Sequence, residues 1–395
     1  VRKAELLRGG CTEEEALHLN GRSLLALSSG VAHGFGCVLF PEGTSHSNAH
    51  MIRFKTGPIR TVLAAAAIAK SKEMPLPKVV PVGLHFRRRE HFRTDQFIEF
   101  GEPIEIVDDM VPSAMVEAVQ QGGWIEPPES TVHRLRDALQ EQLPYLTPNA
   151  STWKEHRAVH LLAHAEARAQ GKKLHTWEEE VLAARNVRDT WPGSTATFPP
   201  QPLGGERMAH ASEAAELLET AGLDGRDLGA KGQVFRKASW GRVPSAVLSV
   251  VLFAALLPFS ITSLGLQITL GRLLGDSTDE GLDARTSFQF LAAFFGSLLI
   301  WPVVAGLWTV LVYLNQEALA SAMGFSSSWL EVGGGSPLLG LALVFIACFP
   351  LFWASGKSFA SAWDVWVDTR KAWTRFRFPA EEKTRLGRLL DKINS

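Results

Sequence analysis

Apolar and polar positions divide this chain into three unlike parts. In the first, up to residue 111, short apolar runs alternate with helical spacing. Residues 12–30 open on Thr12 with Glu15 three positions on, the spacing of a capping box, and Gly30 and Gly34 bracket the end of the predicted helix. GCVLF at 36–40 lies between glycine and Pro41 and has the length of a buried strand. IRTVLAAAAIAK at 59–70 is alanine-rich and reads as a helix. VVPVGL at 79–84 reads as a second buried strand. QFIEF at 96–100 alternates, stops at Gly101-Glu102-Pro103, and reads as a third. Strand, helix and strand at these intervals predict an α/β domain with an at least partly parallel sheet.

The second part, 112–242, is polar and helical in pattern. Pro127-Pro128 and Pro199-Pro200 interrupt it, and a flexible stretch is expected near 190–206. In the third part, 243–271, 286–316 and 332–356 are almost free of charge. Each is long enough for a bilayer core, which takes roughly 20 apolar residues. Basic residues flank the outer ends, Arg236 and Arg242 before the first stretch and Arg370 and Lys371 after the third. Both flanks are therefore cytoplasmic by the positive-inside rule. Three full crossings would separate them. Pro258 in the first stretch favours a re-entrant hairpin there, followed by two crossings; Pro302 offers a competing hairpin in the second. In the tail, 357–395, Trp363, Trp366 and Trp373 interleave with Arg370, Lys371 and Arg375, which suits either the headgroup zone or an ordinary amphipathic helix.

Composition adds less. The net charge of −1 gives no bias toward nucleic acid. Cys11, Cys37 and Cys348 have no pairing or metal-ligand spacing. The sequon at Asn149 reads as chance in a cytosolic neighbourhood. The chain starts at Val1 without a charged-then-apolar leader, and is expected to lack an N-terminal portion.

The candidate chemistry lies in Phe40-Pro41-Glu42-Gly43-Thr44-Ser45-His46-Ser47, directly after GCVLF. Such a turn gathers polar groups at a sheet edge. Glycine admits a ligand close to the backbone, and free N–H groups suit phosphate oxygens. Glu42 suits hydroxyls, or a basic side chain to be held in place. A plain turn also favours these residue types.

FPEGTSHS resembles the third signature block, FPEGTRS, of the glycerol-3-phosphate and 1-acylglycerol-3-phosphate acyltransferase family. Its Thr-Ser-His form resembles the subgroup of fungal and bacterial dual-substrate glycerol-phosphate acyltransferases. Phe54-Lys55-Thr56-Gly57 stands where that subgroup has Lys-Thr-Gly. Val79-Val80-Pro81-Val82-Gly83 is similar to the fourth block. Phe92-Arg93 and Phe100-Gly101-Glu102-Pro103 match the end of the domain. The order and intervals hold over about residues 1–107, and several ordered motifs carry more weight than one.

The resemblance implies a mixed sheet flanked by helices over 1–111, a helical extension over 112–242, a membrane region over 243–356 and a cytoplasmic tail. It implies acyl transfer from acyl-CoA or acyl-carrier protein, as co-substrate and without a cofactor or metal, to a glycerol-phosphate hydroxyl in phospholipid synthesis. The partners would be the lipid bilayer, the donor, and glycerol-3-phosphate or lysophosphatidate. The setting would be an inner membrane or endoplasmic reticulum, with the catalytic domain cytoplasmic. Glu42, Gly43 and Thr44 would hold the acceptor. Ser45 replaces the usual arginine, and His46 and Lys55 are the cations that could compensate. Pro81 would shape the donor side. Val1-Arg2 matches the tail of the second block, which would make Arg2 a phosphate ligand; a surface arginine is the alternative.

The family's His-x-x-x-x-Asp dyad, general base and orienting acid, is absent: none of the 12 histidines has Asp five positions on. His85 with Glu90 and His175 with Glu180 have that spacing with Glu, but fall downstream of FPEG and read as chance. The dyad is expected before Val1. The alternatives are a lysophospholipid acyltransferase of other headgroup specificity and a lipid-binding pseudoenzyme. The basic run Arg87-Arg88-Arg89 with Arg93 would meet anionic headgroups or CoA phosphates, or form a solvated turn.

Overall fold

A computed structural model describes residues 9–44, 46–88, 91, 93–123, 125–194, 199–230, 233–237, 243–277, 282–324, 330 and 337–394. Helix α1 (Glu13–Ala32) starts at the capping box expected of it: the Thr12 side chain accepts from Glu15 N, and Glu15 accepts in return from Thr12 N. Helix α2 (Gly57–Ser71) has proline in its first turn, where no N–H is needed, and buries Leu63 and Ala64 to Ala67 completely. Alanine lets neighbours approach closely, and α1 lies against α2, with Ser28 donating to Thr61 O at 3.0 Å.

The sheet differs from expectation. Strands β1 (Lys78–Val79) and β4 (Ile104–Glu105) form one antiparallel ladder, and β2 (Val82–Phe86) and β3 (Gln96–Phe100) form another. No parallel pairing occurs among the described residues. Pro81 breaks the 79–84 run into two strands, because proline offers no ladder N–H. Its carbonyl still accepts from Gly101 N at 2.8 Å. GCVLF is not a buried strand: it has no regular structure, with Val38 82% and Phe40 66% exposed. An apolar run of that length is a strand only where a neighbouring strand takes up its backbone groups, and none of the described strands does.

Helices α3 (Ser113–Gln120) and α4 (Glu129–Leu146) complete the first core. Met115, Leu135, Leu139 and Leu143 pack with Phe54, Ile59, Leu63 and Met110. This core therefore runs past the change of composition at 112. Gly83 is required where β2 meets the end of α4, since a Cβ there would lie 1.7 Å from Leu146 O.

A second core joins α5 (Trp153–Ala169), α6 (Trp177–Asp189), α7 (Glu206–Thr220) and the last helix of the chain. Within the stretch expected to be flexible, residues 195–198 lie outside the described residues. Its flanks are tied: Trp191 Nε1 donates to Gly204 O and Leu203 N to Glu155.

Beyond residue 242 the helices are apolar. Helix α8 (Val243–Ala255) and α9 (Leu257–Asp276) form a pair bent by 65° at Leu256-Leu257-Pro258. Helix α10 (Leu282–Leu314) and α12 (Leu338–Arg377) are each long and apolar enough to cross a membrane, with α11 (Gln316–Met323) between them. Leu298 and Leu299 on α10, and Leu338 and Ile346 on α12, are more than half exposed, as lipid-facing side chains are. Residues 331–336 at the start of the third apolar stretch lie outside the described residues. Helix α12 does not stop at 356. It continues to Arg377, and α13 (Ala380–Asn394) then turns back into the second core through Leu386, Leu389, Leu390 and Ile393.

Candidate active site

The FPEG segment folds as a tight turn closed by its own glutamate. Gly43 N donates to Phe40 O at 3.1 Å, and Gly43 takes φ +65, a conformation glycine adopts without strain. A Cβ at Gly43 would lie 2.9 Å from Lys55 Cγ, so the lysine stem lies on the bare backbone of the turn. The return strand is fixed by Lys55 N donating to Pro41 O at 2.6 Å.

Glu42 is the centre of this loop. Its Oε1 accepts from Ile52 N at 2.7 Å and from His46 Nε2 at 2.8 Å. His46 Nδ1 accepts from Asn48 N at 3.2 Å, which places the ring proton on Nε2. Glu42 thus holds a basic side chain in place, one of the two roles expected of it. Both side chains are one-fifth exposed, at the lip of the loop rather than inside it. No donor among the described residues is paired with Glu42 Oε2. Thr44 is exposed beside it. Glu42, Gly43, Thr44, His46 and Lys55 are therefore together. Ser45 and Arg2 lie outside the described residues. Pro81 is buried between β1 and β2, where its carbonyl pins Gly101.

The loop is anchored to the second core. His50 Nδ1 bonds Ala150 O at 3.1 Å, Trp153 Nε1 donates to Ser47 O at 2.6 Å, and Ala150 N donates to Ala49 O at 3.2 Å. The sequence did not single out the groups that line this joint. Helix α5 carries His156, His160 and His164 at intervals of four, one face of a helix. The rings of His156 and His160 bridge Trp153 to Trp177: Trp153, His156 and His160 meet edge to face, with His156 and His160 4.5 Å apart, and His160 stacks on Trp177 at 5.0 Å. A cavity of about 40 Å³ beside them is lined by His85, Asn149, His156, His160, Arg185 and Arg188. Burial, reinforced by the charges of His85, Arg157 and Arg188, pushes His156 down to about 4. Burial holds His160 well below the usual histidine range and lowers His85. The four-residue spacing was the available signal. No three His, Cys, Asp or Glu among the described residues could hold a metal ion.

His85 meets Glu99 at 3.8 Å, while Glu90 lies outside the described residues. Glu180 is 2% exposed and does not pair with His175. It binds both guanidinium nitrogens of Arg87 at 2.6 Å and His164 at 3.1 Å. Burial raises its carboxyl pKa, and hydrogen bonds from His164 and Arg87 outweigh that and lower it. The basic run is neither a free anion site nor a solvated turn. Arg87 also bonds Asp95, Arg88 pairs with Glu219, and Arg93 grips Asp364 of α12 through two bonds at 2.8 and 2.7 Å. Arg89 lies outside the described residues.

A turn carrying FPEGTSHS and tied by its glutamate, in a chain that also has apolar helices long enough for a bilayer, is the combination expected of a membrane glycerolipid acyltransferase. Comparison with curated proteins supports that class. The chain is 30% identical over 147 residues, 37% of its length, to glycerol-3-phosphate O-acyltransferase 2 of Saccharomyces cerevisiae. It is 32% identical over 81 residues, 20% of its length, to glycerol-3-phosphate O-acyltransferase 1 of the same organism. The matched stretches span only 18% and 10% of those proteins. No family model matches the chain, and no solved structure matches it significantly.

Proposed function

We propose that the chain is the acceptor-holding and membrane-anchoring part of an acyltransferase. The enzyme would move a fatty acyl group from acyl-CoA or acyl-carrier protein to a hydroxyl of glycerol-3-phosphate or 1-acylglycerol-3-phosphate. The observation that carries this is the FPEGTSHS turn closed on Glu42, together with the partial homology to two glycerol-3-phosphate acyltransferases. The Glu42 carboxylate has lone pairs left on Oε2 for a glycerol hydroxyl. In this reading the Thr44 hydroxyl and the Lys55 ammonium supply a donor and charge for the phosphate, and Gly43, whose N–H is held by Phe40 O, shapes the turn that presents them. Ser45 and Arg2 complete the acceptor side in this reading, and Pro81 holds the strand on the donor side. Proton transfer is assigned to a histidine oriented by an aspartate, a pair that residues 1–395 do not contain. His46 is not assigned as that base, because both of its ring nitrogens are engaged within the loop, by Glu42 and by Asn48 N. The apolar helices keep the site at the bilayer, where the product dissolves.

The test is binding of glycerol-3-phosphate to the chain in detergent or nanodiscs, followed by calorimetry. Glu42→Gln is expected to weaken binding at least tenfold, with the helical content unchanged. Equal affinity for the variant would remove Glu42 from the acceptor site. Residues 1–395 alone are expected to show no acyl transfer from acyl-CoA. Turnover by them would overturn the assignment of the base. Absence of acceptor binding would favour a lipid-binding protein without this chemistry.

A further inference from the structure

The half of α12 beyond Lys357 has two faces with opposite partners. Asp364, Asp368, Lys371 and Arg375 recur at intervals of three or four and share one face. All four point into the soluble part. Asp364 pairs with Arg93, Asp368 with Arg236, Lys371 with Asp224 at 2.8 Å and Asp227 at 3.3 Å, and Arg375 with the fully buried Asp227. The other face carries Trp363, Trp366, Arg370, Trp373 and Arg377. Trp366 is 50% and Trp373 54% exposed. The Arg370 guanidinium lies 5.7 Å over the Trp366 ring and that of Arg377 4.5 Å over Trp373. Among the described residues neither arginine meets a carboxylate.

The level of this stripe follows from α8, which runs antiparallel to α12. Ser249 Oγ is 2.7 Å from Ser361 Oγ, and Ser260 reaches Ser355 O at 3.5 Å. Val243 lies six residues above Ser249, about 9 Å at 1.5 Å per residue, and so stands beside residues 366 and 367. From Val243 downward α8 is uncharged, and Val243, Val247, Leu248 and Val251 are 45–58% exposed. The uncharged, exposed surface of α8 therefore reaches the level of Trp366, above the exposed Lys357 of α12. Arg370 is then about 6 Å, Trp373 about 10 Å and Arg377 about 16 Å above that level.

We propose that Trp366, Arg370 and Trp373 form a docking ledge for the anionic phospholipid headgroups of the bilayer that α12 crosses. Indole rings favour the membrane–water boundary, and each arginine close to an anionic surface contributes about 1 kcal/mol. The stripe lies just above the exposed apolar side chains of α8. The basic residues on the opposite face, Lys371 and Arg375, are engaged by carboxylates and take no part. Arg377, within a Debye length of Arg370 but farther from the surface, contributes less. The inference rests on α12 crossing the membrane and not on the acyl-transfer chemistry.

The test uses the whole chain with Cys11→Ser and Cys37→Ser, reconstituted in nanodiscs of phosphatidylcholine, with or without one-third phosphatidylglycerol. An environment-sensitive dye is attached at Thr369→Cys, beside the ledge, or at Leu299→Cys on α10. Quenching is read from a lipid spin-labelled at the headgroup for the first position and mid-chain for the second. The Thr369→Cys label is expected to be quenched, and more strongly with phosphatidylglycerol. Arg370→Gln is expected to lower the docked-to-free ratio about fivefold, the equivalent of 1 kcal/mol, and Arg377→Gln less. An unquenched label at residue 369 with a quenched label at residue 299 overturns the ledge alone. Equal quenching in the two lipid mixtures overturns its anionic selectivity. Self-quenching at residue 369 that disappears on dilution with unlabelled chain assigns the face to a second copy and overturns the ledge. Two unquenched labels overturn it together with the membrane span.

Discussion

The two soluble cores of this chain are finished to different degrees. The second encloses its apolar residues with its own helices: Leu162, Ala211, Leu218, Leu386 and Ile393 are all at or below 1% exposure. The first does not. Its β2–β3 hairpin buries His85 on one side and leaves Val82, Leu84, Phe86, Ile98 and Phe100 between 36% and 71% exposed on the other, and Phe35, Val38 and Phe40 are bare nearby. The FPEG turn belongs to the half whose helices are packed but whose hairpin face is open. An exposed apolar sheet face of this kind marks an interaction surface. What the contrast teaches is that the FPEG turn, closed locally by Glu42, is tied to the closed half through residues 47–50, which bond Ala150 and the Trp153 indole.

The largest expected effect breaks the link between the closed core and α12. Asp227→Ala leaves the buried Arg375 without its anion and is expected to cost about 3–5 kcal/mol, measured as a lower denaturant midpoint of the soluble transition. Leu386→Ala, which opens a cavity where α13 seals the bundle, is expected to cost about 2–5 kcal/mol by the same measurement. Acid should separate the halves next. His156 titrates at about 4 in the fold against 6.5 when exposed. The unfolded chain therefore takes up its proton first, so stability falls as pH drops from 6.5 towards 4 and levels off below. Hydrogen exchange at residues 46–52 is expected to rise over that window before exchange in α7 does. Thr12→Ala, which removes the capping box of α1 in the open half, should cost about 1 kcal/mol. The smallest effect sharpens the contrast: Phe100→Ser on the bare face is expected to stay within about 0.5 kcal/mol. A loss of several kcal/mol would mean that this face is covered.

Local signals were readable in the sequence, and pairings over long distance were not. The Thr12 cap, the alanine helix at 57–71, the QFIEF strand, the bend at Pro258 and the apolar helices all follow from residues within a few positions of one another. GCVLF misleads because an apolar run states that a segment can be buried, but not by what. Lys371 and Arg370 are adjacent, and only the position of Asp224 and Asp227 assigns one to the bundle and leaves the other free. The Arg93–Asp364 pair joins residues 271 positions apart, beyond the reach of any periodicity. The FPEG turn was the exception, since all its partners apart from the 150–153 anchor lie between residues 40 and 55.

The return of α13 into the second core sets an order of biogenesis. Helices α5, α6 and α7 leave the ribosome first, yet the side chains that seal them, Leu386, Leu389, Leu390 and Ile393, are translated only after every apolar helix. The bundle therefore waits, with one apolar seam uncovered, until the apolar helices between it and α13 have been translated. A chain cut anywhere within the apolar helices therefore also loses the helix that closes its bundle, so the two parts of the molecule fail together.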